Sequence, residues 1–235
     1  ISASALAADI MPMKAAPAPV AAPLFNWSGF YVGGNAGAVW SHLTTTDVDG
    51  FAAGGTPGTQ TNLHHTGFTG GGQFGYNIQS GNFVYGIEAD IGWMGLGKKS
   101  LITGSVSNTQ VGVDSGLYGD VTGRIGYVVN NSLWYAKGGW AFYDANPLFS
   151  TTAGFTANNN LGTYSGWTAG AGVEWLIGQN WTAKIEYQHF DFGRAEFTLA
   201  PAVFRFDERL RAEVVKIGLN YKFGDGGKSP VVAKY

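Results

Sequence analysis

Ten charged residues stand out because chemistry would need them held away from water. Glu88, Asp90, Asp120, Glu174 and Glu186 oppose Arg124, Lys137, Lys184, Lys216 and Lys222, so the two signs balance. Such groups can pair into a neutral cluster that fills a space. They can also line a narrow path gated by an ion pair that swaps partners. His42, His64, His65 and His189 carry the remaining acid–base and ligand chemistry. His64-His65 has the side chains to ligate a metal or a haem iron. Neighbours on a strand point to opposite faces, however, so one such pair seldom chelates one ion. His189 near Asp191, or Ser41 with His42, supplies parts of a Ser–His–acid hydrolase, but no hydrolase motif surrounds either. A charge-dense segment holds Arg194, Glu196, Arg205, Asp207, Glu208, Arg209, Arg211 and Glu213. Guanidinium suits phosphate, whereas the mixed signs favour a solvated segment of local pairs. Gly70-Gly71-Gly72 lacks the Lys-Ser/Thr that a phosphate loop requires. With no Cys there is no disulfide framework and no Cys-ligated zinc. No catalytic residue, metal ligand or cofactor is assigned, and the chain is not expected to be an enzyme.

The elements that position these groups are legible in composition and pattern. The 235 residues include 37 Gly, 15 Phe, 11 Tyr and 8 Trp, and only 13% are charged. Disordered chains have more charge and fewer aromatics. A net charge of -2 gives no basic footprint for nucleic acid. No run of about 18 apolar residues is present, which excludes a spanning helix but not a barrel whose strands cross with about ten alternating residues.

From Phe25 to Phe223 polar and apolar residues alternate, broken by Gly/Asn/Ser/Thr-rich segments. The pattern predicts eight strands, near 28–43, 64–79, 82–97, 113–129, 132–145, 163–178, 180–196 and 210–223. Gln79-Ser80-Gly81-Asn82, Asn130-Asn131 and Gly178-Gln179-Asn180 are tight turns. Segments 44–63, 98–112, 146–162 and 197–209 are expected to be long and irregular. Short turns on one side and long loops on the other fit an all-β, eight-stranded antiparallel up-and-down transmembrane barrel with periplasmic turns and four extracellular loops.

The facing pattern says what surrounds the barrel. Ile87, Ile91, Val121, Ile125, Val173, Ile185, Ile217 and Leu219 share the apolar face of their strands, and the ten charges take the other. Gly71, Gly75, Gly86, Gly126, Gly170 and Gly172 lie on the charged face, where small residues suit a crowded interior. Trp27, Trp134, Trp175 and Trp181 fall near the short turns. Trp40, Trp93, Trp140 and Trp167 fall near the loops, completing two girdles at the lipid–water interfaces. A soluble sandwich or a lipocalin-like barrel would reverse this polarity. An eight-stranded barrel is just wide enough for side chains to fill, so the charges are expected to pair into a plug.

At the N-terminus, Ala5-Leu6-Ala7 before Ala8-Asp9 is like a signal-peptidase site. Pro12, Pro17, Pro19 and Pro23 then mark an extended linker. The expected organisation is a signal-peptide remnant and Ala/Pro-rich periplasmic linker at 1–24, a barrel at 25–223 and a short periplasmic tail at 224–235.

Asn26-Trp27-Ser28-Gly29-Phe30-Tyr31-Val32-Gly33-Gly34 resembles the opening of the alphaproteobacterial small outer-membrane β-barrel proteins, porin-family surface antigens related to the OmpA and OmpX barrels. Gly70–Asn77, Gly86-Ile87-Glu88-Ala89-Asp90, Gly123-Arg124-Ile125-Gly126-Tyr127 and Trp134-Tyr135-Ala136-Lys137-Gly138-Gly139 extend the match. The resemblance implies the bacterial outer membrane, and partners among its lipid, lipopolysaccharide and the barrel-insertion machinery. Tyr221 and Phe223 resemble the terminal strand signal, although twelve residues follow and Tyr235 is a rival. The function expected is a structural and surface protein that supports the envelope and offers its loops to envelope or host partners. A small porin for ions or solutes is the alternative. A lipid-modifying enzyme or a haemin binder is a lesser one.

Overall fold

The computed structural model describes residues 25–50, 56–96, 98–103, 108–113, 115–144, 147–151, 156–157, 163–200 and 204–224. The leader remnant and linker expected at 1–24, and the tail beyond Gly224 with Tyr235, lie outside the described residues. Among the described residues there are twelve strands: β1 (Gly29–Asp47), β2 (Thr59–Ser80), β3 (Phe83–Met94), β4 (Lys98–Thr103), β5 (Asn108–Val113), β6 (Gly116–Val129), β7 (Ser132–Asp144), β8 (Pro147–Thr151), β9 (Thr156–Ala157), β10 (Tyr164–Leu176), β11 (Trp181–Ala200) and β12 (Phe204–Lys222). Eight of them close an antiparallel barrel in the order β1-β2-β3-β6-β7-β10-β11-β12, with β12 paired back to β1. Closure leaves no spanning strand with an unpaired edge, which hydrocarbon requires.

The register fixes the barrel's stagger. The row of paired residues starting at Trp40 runs through Glu213, His189, Ala169, Gly138, Gly123, Ile87 and Tyr76. It returns to β1 at Phe30, ten residues from its start. That displacement is the shear, and it tilts the strands by roughly 35–45° to the axis. Every member of the row faces outward, because each step keeps the parity of the pleat.

The tight turns form where expected. Gly81 (φ +61°) and Asn130 (φ +54°) take left-handed conformations there, and Asn tolerates this region better than most residues. At the opposite end the expectation of irregular loops is corrected. β1 and β2 run to Asp47 and from Thr59, and β11 and β12 run to Ala200 and from Phe204. These four strands project past the others, and β9, β8, β5 and β4 add to β11 in that order. The Thr-rich and polar composition that suggested loops is equally compatible with strands whose outer face meets water.

Candidate functional site

The parity of the strands delivers all ten predicted charges to the barrel interior, each buried. Eight join one ion-pair network. Arg124 bridges Glu174 at 2.9 Å and Glu88 at 3.6 Å. Lys137 lies 2.8 Å from Glu88 and 3.0 Å from Glu186, and Lys184 reaches the same two carboxylates at 3.3 and 3.4 Å. Lys216 links Glu186 at 3.3 Å to Asp90 at 2.8 Å. Four carboxylates and four cations are therefore linked in one neutral network, in which Lys137 and Lys184 bridge Glu88 and Glu186 in parallel. Asp120 and Lys222 stand outside it. Asp120 accepts a hydrogen bond from Gln188 Nε2 at 3.1 Å, and the Lys222 ammonium sits 5.2 Å from the Phe25 ring centroid.

Neutral residues that the sequence analysis did not single out complete this network. Tyr31 Oη donates to Glu88 at 2.7 Å and Tyr135 Oη to Glu186 at 2.7 Å. The two rings flank Arg124, whose guanidinium lies 4.0 Å from the Tyr135 centroid and 5.7 Å from that of Tyr31. Tyr118 and Asn35 donate to Asp90, while Thr182 and Asn220 donate to Glu174. Buried carboxylates need such donors for their remaining lone pairs. The glycines make this possible. A Cβ on Gly75 would stand 2.4 Å from Tyr31 Oη, and one on Gly172 would stand 2.6 Å from Tyr135 Oη. The available signal was the charged-face parity of Tyr31, Tyr118 and Tyr135, which motif reading passed over.

The polar layer is flanked on both sides by buried clusters rich in apolar side chains. On the loop side, Val39, Met94, Tyr118, Tyr143, Phe190, Phe192 and Leu210 belong to one buried cluster. On the turn side, Trp27, Val84, Leu133 and Tyr135 form a second, backed by Phe25 and Val128. Trp27 corrects an expectation. It is 2% exposed and caps the turn-side mouth, so it is not an interface aromatic. The strand begins only at Gly29, whose φ of +122° breaks the extended phase. Counting parity back to residue 27 therefore fails, and the segment crosses the mouth. Trp27 N donates to Gln79 Oε1 at 2.8 Å and holds it there.

The other seven tryptophans face outward with 41–57% exposure: Trp40, Trp93, Trp140 and Trp167 toward the loops, Trp134, Trp175 and Trp181 toward the turns. Tyr221 and Phe223 lie on the outer face at the turn end, with Tyr221 against Trp181. The histidines divide. Ser41 is buried while His42 faces out, so that pair is split. His64 is exposed and meets His42 across the β1–β2 pairing, ring centroids 4.6 Å apart, and His65 takes the other face. His189 Nδ1 lies 2.7 Å from Glu213 Oε1 rather than on Asp191. Tyr187 donates to the same Glu213 carboxylate. Asp191 instead holds Arg209 and Arg211. Among the described residues no three His, Asp or Glu converge on a metal-sized site.

Comparison with known proteins agrees with this architecture. Residues 7–223 match the family described as outer membrane protein beta-barrel domain. The chain is 33% identical over 239 residues to a 31 kDa outer-membrane immunogenic protein of Brucella melitensis, covering 94% of each. It is 32% identical over 203 residues to a 22 kDa outer membrane protein of Rhizobium leguminosarum, covering 86% of this chain and 80% of that one. The crystal structure of the outer membrane protein OprG from Pseudomonas aeruginosa superposes with a TM-score of 0.53 at 9% identity. That match covers 83% of this chain and 97% of the other, and it speaks to the fold alone.

Proposed function

The chain belongs to the outer membrane β-barrel protein family and resides in the bacterial outer membrane, and from that premise we propose that it is a structural and surface protein whose barrel is sealed. One observation carries this: the neutral ion-pair network lies between two apolar plugs. An ion crossing the barrel would have to shed water at each plug, then compete for charges already paired. Seven outward tryptophans anchor the wall at the two interfaces. The projecting strands offer a rigid β-surface beyond the membrane to envelope or host partners. Tyr221 and Phe223, outward at the end of β12, are the side chains offered to the insertion machinery.

Single-channel recording on the refolded chain in planar bilayers tests the sealed interior. The expected result is negligible conductance. Frequent, stable openings would overturn it in favour of a small porin.

A further inference from the structure

The interior holds one carboxyl group that its charges do not balance. The ion-pair network is neutral by itself, and Asp120 is buried beside it without an ion pair among the described residues. The charges acting on Asp120 are Lys137 of β7, Lys216 of β12, and Asp90 and Glu88 of β3. Both lysines are already committed, Lys137 to Glu88 and Glu186, Lys216 to Asp90 and Glu186. Asp90 is the direct cross-strand partner of Asp120 and adds a like charge. β11 faces it with the amide of Gln188, and Glu186 on the same strand is itself held by three lysines. The two aspartates are unequally supplied with donors. Asp90 takes Lys216 Nζ at 2.8 Å, Asn35 Nδ2 at 2.9 Å and Tyr118 Oη at 3.0 Å. Asp120 takes only the neutral Gln188 Nε2 among the described residues. A carboxyl buried on those terms sheds its charge by keeping a proton.

The hydrogen bonds say where that proton goes. Thr168 Oγ1 donates to the His189 carbonyl at 2.8 Å, so towards Gln188 it can only accept, and Gln188 Nε2 lies 2.9 Å from it. This orients the amide. Nε2 serves Thr168 and Asp120 Oδ2, and Oε1 needs a donor of its own. Gln188 Oε1 and Asp120 Oδ1 are both buried without a hydrogen-bond partner among the described residues. An ionised Asp120 offers acceptors alone and leaves both atoms unpaired, a costly state. A protonated Asp120 carries an O–H on Oδ1 to give to Oε1, which completes the two-bond pairing of a carboxylic acid with a primary amide. One proton thus removes two unpaired acceptors and the surplus charge together.

We propose that Asp120 is a neutral carboxylic acid in the folded barrel, and that its pairing with Gln188 is a proton-held latch across the lumen from β6 to β11. At the next inward position towards the loops, Tyr118 and Phe190 of the same two strands meet edge-on, ring centroids 6.1 Å apart, within the loop-side apolar cluster. The latch therefore lies directly beneath that cluster. Losing the proton sets two carboxylates, Asp90 and Asp120, side by side under it. The latch rests on burial and hydrogen bonding, and it holds whether or not the barrel conducts.

The test uses the full chain refolded into lipid vesicles, with Asp120→Asn as the comparison, because an asparagine amide can make the same pair without a proton to lose. Infrared spectra at pH 7 of protein labelled with carbon-13 in its aspartate carboxyls should show a carboxylic-acid carbonyl stretch that moves with the label, which separates it from any protonated Glu. D120N should lack the band, and Gln188→Leu should shift it, because the carbonyl loses its donor. Absence of the band from the unaltered protein overturns the proposal whether or not any variant folds. Its persistence in D120N, or an unshifted band in Q188L, also overturns it. The second arm is urea unfolding. The folded barrel binds one proton more than the unfolded chain, so lowering the pH from 8 to 6 should raise the folded-to-unfolded ratio of the unaltered protein, relative to D120N, by about tenfold per pH unit. Parallel pH profiles for the two proteins overturn the latch.

Discussion

At the scale of single residues, the interior is governed by the difference between a buried pair and an exposed one. Glu88 is 1% exposed and faces Arg124, Lys137 and Lys184 at once. Glu88→Ala leaves three buried cations short of a counter-charge, and breaking a buried pair in this way costs about 3–5 kcal/mol. Arg194, in the exposed pair with Asp207, is the contrast, and Arg194→Ala should stay within about 1 kcal/mol. Urea unfolding from lipid vesicles measures both. Equal losses would mean that the network is not a structural unit. The charges themselves were legible from parity. The three tyrosines and the glycines that admit them were not, because their roles depend on which side chain lies opposite across the barrel.

At the scale of elements, the long strands β1, β2, β11 and β12 carry a polar interior past the membrane, and Glu208 is its sensitive point. Its carboxyl accepts from Thr45 Oγ1 and Tyr164 Oη, each at 3.2 Å. Burial pushes its pKa up to about 7 from the usual 4.5. The folded projection therefore holds this proton more tightly than an opened one does. The resulting stabilisation is fully present below about pH 4.5 and is lost as pH rises to about 7. Amide hydrogen exchange in β11 and β12 near Glu208, corrected for the intrinsic pH dependence, should show more frequent opening at pH 8 than at pH 5. Glu208→Gln should flatten the difference. A wild-type profile that is already flat would show that burial does not hold the proton. Sequence reading missed these projections because Thr, Asn and charged residues suit both a loop and a strand wetted on one face. Pairing with a neighbour decides between them.

At the scale of the whole molecule, the barrel is inverted relative to a soluble protein. Ile125 is 51% exposed on the wall and Glu88 is buried within, which is stable only if the wall meets lipid. Ile125→Arg should therefore destabilise the inserted barrel by about 2–4 kcal/mol if the position lies near the midplane. Folding yield into vesicles and urea unfolding report this, and normal insertion with unchanged stability would refute the assignment of faces. The sequence by itself determined that assignment, the eight spanning strands, the two interfaces and the balance of interior charge. All follow from a period of two along single strands and from residue type. Only the tertiary structure decided the rest. The shear of ten sets which carboxylate meets which cation, and the segment before β1 folds across the mouth to bury Trp27. The same closure brings Asp120 and Gln188, 68 residues apart in the chain, together across the lumen. Those outcomes depend on how strands are staggered against one another, and no single strand carries that information in its alternation.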